Sequence, residues 1–314
     1  MKLIESKAEY IPQEEGLEGI YKMIELAGRT AYHSQNKITP DSAKDFVDRM
    51  IKSKHGAALE HGTVYLELPN LGHKDYTTEL GVLVANITTP YTKIVDIPDG
   101  HNDSYTYALT TNMRVIEEIP SYLQEYKGTL FQYLCSPTEF HEKRYTMRFT
   151  CSRAVAQELT RHRVFSFLME SQRYINYSKE KHGGEIPIII PSWSSGLIEG
   201  NTYDMTVAKI CSVSEGIKPL EQRFLMAMCF AEEMYFEFLE DGFTPQQARD
   251  VLPNATKTEL IMTGFASDWA RLFELRMYES TGKVAPDMKV LMQKAWKEFE
   301  NYGITRDLER YIKL

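Results

Sequence analysis

A mixed α/β fold is predicted for this chain of 314 residues, on three observations. Apolar residues recur at helical spacing in several long segments, stretches rich in β-branched and aromatic residues alternate between them, and no apolar run approaches the length that spans a bilayer. With 43% hydrophobic and 25% charged residues, the composition is that of an ordinary globular protein able to bury a sizeable core.

The first helix is expected over Gly16 to Gly28, where Leu17, Ile20, Tyr21 and Ile24 share one face, and a second over Asp41 to Lys54 behind Pro40. Arg29 to Ser34 reads as a polar connector between them. Thr63 to Leu68 alternates and reads as a strand, with Arg144 to Cys151 as its partner. The intervening Pro69 to Lys143 is far longer than a usual connection and reads as an insertion with structure of its own: a strand at Gly81 to Asn86, helical patterning from Tyr105 to Leu134, and His73 and His101 as solvated loop residues. Ser152 to Arg163 is expected to be a helix presenting Glu158 and Arg161 near its end, followed by an irregular loop through Arg173. Lys179 to Gly200 is loop-rich and lid-like. Helices are expected from Thr206 to Leu239, Lys257 to Thr281 and Met288 to Tyr302.

The formal net charge of −8 argues against broad binding of nucleic acid or anionic membrane, so clustered arginines point to a local pocket for a small anion. Such a cluster lies in Thr160 to Tyr174, which packs Arg161, Arg163 and Arg173 around His162, Glu170, Ser166 and Ser171. Guanidinium forks match phosphate oxygens, and a histidine between two arginines is expected to stay neutral near pH 7. Cys135, Cys151, Cys211 and Cys229 show neither CxxC pairing nor disulfide density, and no signal-like stretch follows Met1, so a reducing cytoplasm is the expected compartment. No histidine has the spacing of a metal site, and none is expected.

The order Arg-His-Arg, seven residues, Ser, one residue, Arg resembles the signature of the flavin-dependent thymidylate synthases. Two further blocks are similar to that family in the same order along the chain: Lys54 to Val64, with Leu59-Glu60-His61 before the strand, and Gln247 to Thr256, followed by Thr263-Gly264-Phe265 through Trp269 to Arg276. The resemblance implies one α/β (α+β) catalytic domain over residues 1–314, with a mostly antiparallel central sheet flanked by helices and a family-atypical insertion at about 69–143. It implies a homotetramer with shared active sites. The reaction implied is reductive methylation of dUMP to dTMP, with methylene-tetrahydrofolate as carbon donor and FAD, reduced by NADPH, as hydride carrier.

Carried over residue by residue, the resemblance assigns dUMP contacts to Glu158, Arg161, Met169, Glu170, Ser171, Gln172, Arg173, Arg249 and Arg276, with Arg276 the catalytic arginine facing the uracil edge. Ser171, Arg173 and the backbone of Met169 to Gln172 are the expected phosphate cradle. FAD contacts fall to His61, Thr63, Arg161, His162, Arg163, Met169, Phe265, Ser267 and Arg271. The chain departs from the family at Phe265-Ala266-Ser267, where many members have Asn-x-Arg, at Arg271, often Asn or His, and at Met169, commonly polar. Three rivals fit the residues less well. A folate-only synthase needs a cysteine in an arginine-lined turn, a nucleic-acid module needs positive overall charge, and a metal-dependent hydrolase using His55, His61 and His162 needs denser ligand spacing.

Overall fold

Nine strands sort into three sheets in the computed structural model, which describes residues 1–69, 78–98, 105–179, 183–210 and 216–313. His73, His101 and Cys211 lie outside these residues. The strands are β1 Lys2–Ile4, β2 Lys7–Ile11, β3 Thr63–Leu68, β4 Lys93–Pro98, β5 Tyr105–Asn112, β6 Arg144–Ser152, β7 Ser166–Met169, β8 Pro187–Ile189 and β9 Lys257–Phe265. A four-stranded sheet runs β2-β6-β9-β7 and a three-stranded sheet β3-β5-β4, both antiparallel, while β1 and β8 pair in parallel. The mostly antiparallel α/β architecture expected from the sequence is the one observed.

Three apolar clusters hold these layers. Met147, Phe149, Leu260 and Met262 of β6 and β9 pack against Trp269, Phe273 and Phe299 of the helices Ala266–Arg276 and Pro286–Asn301. The Trp269 indole N–H is satisfied by the Tyr145 carbonyl at 3.1 Å. Ile20 and Ile24 of the helix Gly16–Ala31 join Val64, Leu66, Leu83 and Leu109 in a second cluster. The third lies under the helix Pro219–Glu240, which buries Leu225, Cys229 and Tyr235. Buried Glu221 pins the preceding loop to that helix, accepting from the Lys218, Ser195 and Gly196 amides and the Ser194 hydroxyl.

Several sequence expectations are corrected. β3 and β6 are not partners: β3 pairs with β5, from within the long segment, and β6 lies between β2 and β9. Gly81 to Asn86 is part of a helix, Glu79–Ile87, because Thr78 caps it and Leu83 and Ile87 are buried one turn apart. The first eight residues of the expected helix Tyr105 to Leu134 form β5, whose threonines and tyrosines favour a pleated surface. Short helices follow at Met113–Glu117 and Lys127–Phe131. The expected helix from Lys257 begins instead as β9. A strand bonded on both edges and buried on both faces shows no alternation, and Leu260-Ile261-Met262 then reads equally well as helix. The helix expected from Thr206 is divided into Met205–Ile210 and Pro219–Glu240, with Pro219 in the first turn of the second.

Gly264 sets how closely the motif approaches β9. A Cβ there would lie 2.3 Å from the ring of Phe165, which is buried and packed edge-on against Trp269 at 4.9 Å between centroids. Gly264→Ala is therefore expected to cost about 1–3 kcal/mol, typical of overpacking a filled core. Urea unfolding checks this, and an unchanged midpoint would show that the ring moves freely.

Candidate active site

Ser152 ends β6 and caps the helix Arg153–Leu159, its hydroxyl accepting from the Val155 amide at 3.3 Å. That helix stops at Leu159, short of the expected Arg163. The amides of Arg161, His162 and Phe165 then bond to carbonyls three residues back, forming a tight turn that leaves Arg161, Arg163 and Val164 exposed and His162 half-buried. The expected loop after it contains β7, which lays Ser166 against Thr263 and Met169 against Leu260 at the sheet edge.

At the start of β7, the Arg276 Nε donates to His162 Nε2 at 3.0 Å. Burial, followed by the positive charge of Arg276, lowers the His162 pKa to about 4, so the ring is a neutral acceptor at pH 7 as expected. His61 is fully buried with Nδ1 2.8 Å from Thr263 Oγ1, and its Nε2 has no hydrogen-bond partner among the described residues. Burial and then Arg144 lower its pKa to about 3. Arg144 itself was legible only as the first residue of a strand. It is 8% exposed and donates to the Glu60 carbonyl at 3.1 Å and to the Thr63 and Ser166 hydroxyls, each at 3.3 Å.

The other end of β7 is a buried charge network. Glu170 Oε1 is 2.7 Å from His33 Nδ1, and Oε2 accepts from the Glu259 amide and faces Lys257. Burial alone would raise the Glu170 pKa, but His33 and Lys257 outweigh it and hold the carboxyl below its ordinary value. His33, expected only as part of the polar connector Arg29 to Ser34, has a left-handed backbone at φ 48°, a strained conformation for a non-glycine residue. The Glu170 amide bonds to the Glu259 carbonyl and the Ser171 amide to that of Ala31, so two of the four amides of the expected cradle already have carbonyl partners in this structure. Ser171 is left to offer its hydroxyl. Gln172 is buried beside them, and Arg249 stands near Arg153, whose pKa is lowered mainly by burial.

Arg161, Arg163, Arg173, Arg249 and Arg276 form no ion pair with a carboxylate among the described residues, whereas Arg29, Arg114, Arg148 and Arg271 each do. The result is a local positive excess in an acidic chain. Arg173 lies over Tyr174, which packs on Tyr32, and these two tyrosines and Val164 are 60%, 45% and 57% exposed. Phe265, Ser267 and Arg271 are differently placed. Phe265 is buried beneath Arg144 and Lys93, the Ser267 amide donates to Glu142 at 3.2 Å, and Arg271 pairs with Glu274 at 2.7 Å. A cleft of about 340 Å³ lined by Tyr10, Tyr65, Arg144 and Asp307 includes only Thr63 of the expected site residues.

Fold and site together define an α/β protein whose arginine-bearing motif leads into the edge strand β7. Residues 107–302 match the model of the thymidylate synthase complementing protein family, and the chain belongs to that family. His61 and Thr63 precede the matched residues. The chain is similar to the flavin-dependent thymidylate synthase of Geobacter sulfurreducens, 32% identical over 41% of this chain and 45% of the relative. It is 26% identical to that of Pyrococcus abyssi over 52% of this chain and 55% of the relative. The match thus spans about half the length of these curated relatives. A loose likeness, with a TM-score of 0.44 and 14% identity over 99% of this chain and 98% of the other, links it to the UMP/dUMP methylase PolB from Streptomyces cacaoi bound with 5-Br dUMP.

The neutral histidines have a pH consequence. With a folded pKa of about 4 against 6.5 when unfolded, His162 takes up its proton more readily in the unfolded chain, so its contribution is present above pH 6.5 and lost as pH falls toward 4. Denaturant midpoints should fall across that window, and His162→Gln should flatten the slope. An identical slope in the variant would show that His162 is not the group responsible.

Proposed function

We propose that this protein is a flavin-dependent thymidylate synthase. It converts dUMP to dTMP, with methylene-tetrahydrofolate supplying the carbon and FAD, reduced by NADPH, supplying hydride. The observation that carries this reading is the Arg276 guanidinium held by neutral His162 beside unpaired Arg161 and Arg163. Because Nε is bonded to the ring, the two terminal nitrogens are free to meet acceptors on the uracil edge. A fixed cation there stabilises charge developing on the base without giving up a proton.

The residues fit FAD in their chemistry. His61 Nε2 and Arg144 Nε are buried polar atoms without partners in one cluster with Thr63 and Ser166, an environment that suits a ring with many acceptors. His61, Thr63, Arg161, His162, Arg163 and Met169 would hold the cofactor. Phe265, Ser267 and Arg271 complete the assignment only once their present partners are exchanged. When bound, FAD supplies the redox chemistry, and the protein supplies position and charge. The dUMP phosphate would meet the Ser171 hydroxyl, Arg173 and Arg249, with Glu158 and Gln172 on the nucleoside. Glu170 shapes that loop through His33 and Lys257.

Sharing of sites between four subunits is part of the same reading. Arg276 meets His162 ahead of β7, Glu170 and Ser171 follow its other end, and Tyr32, Val164 and Tyr174 are exposed. The helix Pro219–Glu240 also exposes Leu220 and Phe230, apolar area suited to a subunit contact. The protein is read as cytoplasmic.

The test is direct. Purified protein should carry a flavin spectrum and form dTMP from dUMP; a colourless protein that takes up no FAD ends the reading. Arg276→Lys keeps charge but loses the fork, and is expected to lower dTMP formation about 10²-fold with FAD content and thermal midpoint intact. Near-wild-type turnover would remove Arg276 from the reaction. For the shared site, mixed oligomers of inactive Arg173→Ala and inactive Arg276→Ala subunits should regain activity, and no recovery would mean that each chain builds its own site.

A further inference from the structure

We infer that Arg144 is a positioning residue of the flavin site, one whose buried unpaired charge favours the reduced, more negatively charged form of the cofactor. This rests on the flavin reading above. Arg144 belongs to none of the three sequence blocks that resemble the family, so its role is read from geometry alone.

The guanidinium joins three elements. It bonds to the Glu60 carbonyl in the turn before His61, to Thr63 at the start of β3, and to Ser166 at the start of β7, and it lies 5.5 Å from the centre of the Phe265 ring. Every one of these acceptors is neutral. A buried arginine with a purely structural role is ordinarily matched by a carboxylate, because hydrogen bonds orient the fork but do not cancel its charge. The two nearby acids are committed elsewhere. Glu60 pairs with Arg114 at 2.5 Å, and Asp268 accepts from the Phe265 amide while burial raises its pKa to about 6. Burial lowers the Arg144 pKa to about 10, which still leaves it charged at pH 7, and Nε has no acceptor.

Burial, with a smaller contribution from the Arg144 charge, keeps His61 neutral, so the histidine adds no charge of its own to the cluster; Lys93 lies over the Phe265 ring at 5.5 Å. The Thr63–Ser166 cluster therefore holds a positive charge with no direct ion pair among the described residues, Glu60 and Asp268 acting on it only from a distance, in a buried setting where charge acts over longer range than in water. An electron-rich ring bound against these residues is stabilised more when reduced than when oxidised. Uncharged cluster residues alone would give no such preference.

The experiment measures the midpoint potential of bound FAD by spectroscopic titration against a redox dye, with the FAD dissociation constant, in wild type, Arg144→Gln and Arg144→Lys. Gln can keep hydrogen bonds to Thr63 or Ser166 and loses the charge; Lys keeps the charge and loses the fork. Arg144→Gln should weaken binding of reduced relative to oxidised FAD by about tenfold, a fall of about 30 mV for a two-electron couple. Arg144→Lys should hold the wild-type potential while binding FAD less tightly. An unchanged potential in Arg144→Gln overturns the inference and leaves the flavin reading standing. If Arg144→Gln does not fold, a fall of the same size in Arg144→Lys overturns it, because charge would not be the cause. Wild-type protein that binds no FAD overturns both.

Discussion

Strand β9 is bonded along both edges, to β6 and to β7, and the site depends on that constraint. Its register sets Arg144 opposite Phe265 and Ser166 opposite Thr263, so the arginine and the motif serine meet across the strand between them. Its C-terminal end passes directly into the helix Ala266–Arg276, whose last residue reaches back to His162. One buried strand thus brings together residues from three separate stretches of sequence. Gly264 permits this by leaving room for Phe165.

The site differs electrically from the rest of the chain. Elsewhere, buried charge is matched by an ion pair or by several hydrogen-bond donors: Glu25 with Arg29, and Glu221 with three amides and a hydroxyl. Around the motif, arginines stand without carboxylates and the histidines between them are neutral. Like charges held together in a partly dry setting disfavour the folded chain, an arrangement consistent with a binding face whose anionic ligand completes it.

What the sequence disclosed follows from where the physical signal lies. The helix Gly16–Ala31 and strand β3 were legible because each has one buried face and therefore a clear period. The motif arginines were legible because their chemistry is local. β9 was not, since burial on both faces erases alternation. Nor was the pairing of β3, because its partner β5 lies in a segment read as helix. Arg144 and His33 carried no signal: one is a single arginine at a strand start, the other a loop histidine, and each gains meaning only from what the fold sets beside it. Phe265-Ala266-Ser267 was recognised as a departure, and the structure gives its present partners, the Arg144 guanidinium and the Glu142 carboxylate.

Residues 69–143 look in sequence like a detachable addition, yet they supply β5, the hydrogen-bonding partner of β3, and Glu142, which receives the Ser267 amide in the first turn of the helix that ends at Arg276. Excising the segment to imitate a compact relative would leave β3 as a bare edge carrying apolar Val64, Leu66 and Leu68, a template for pairing between chains. A minimised version of this protein would therefore meet an aggregation problem before a catalytic one, and any trimming has to stop short of β5.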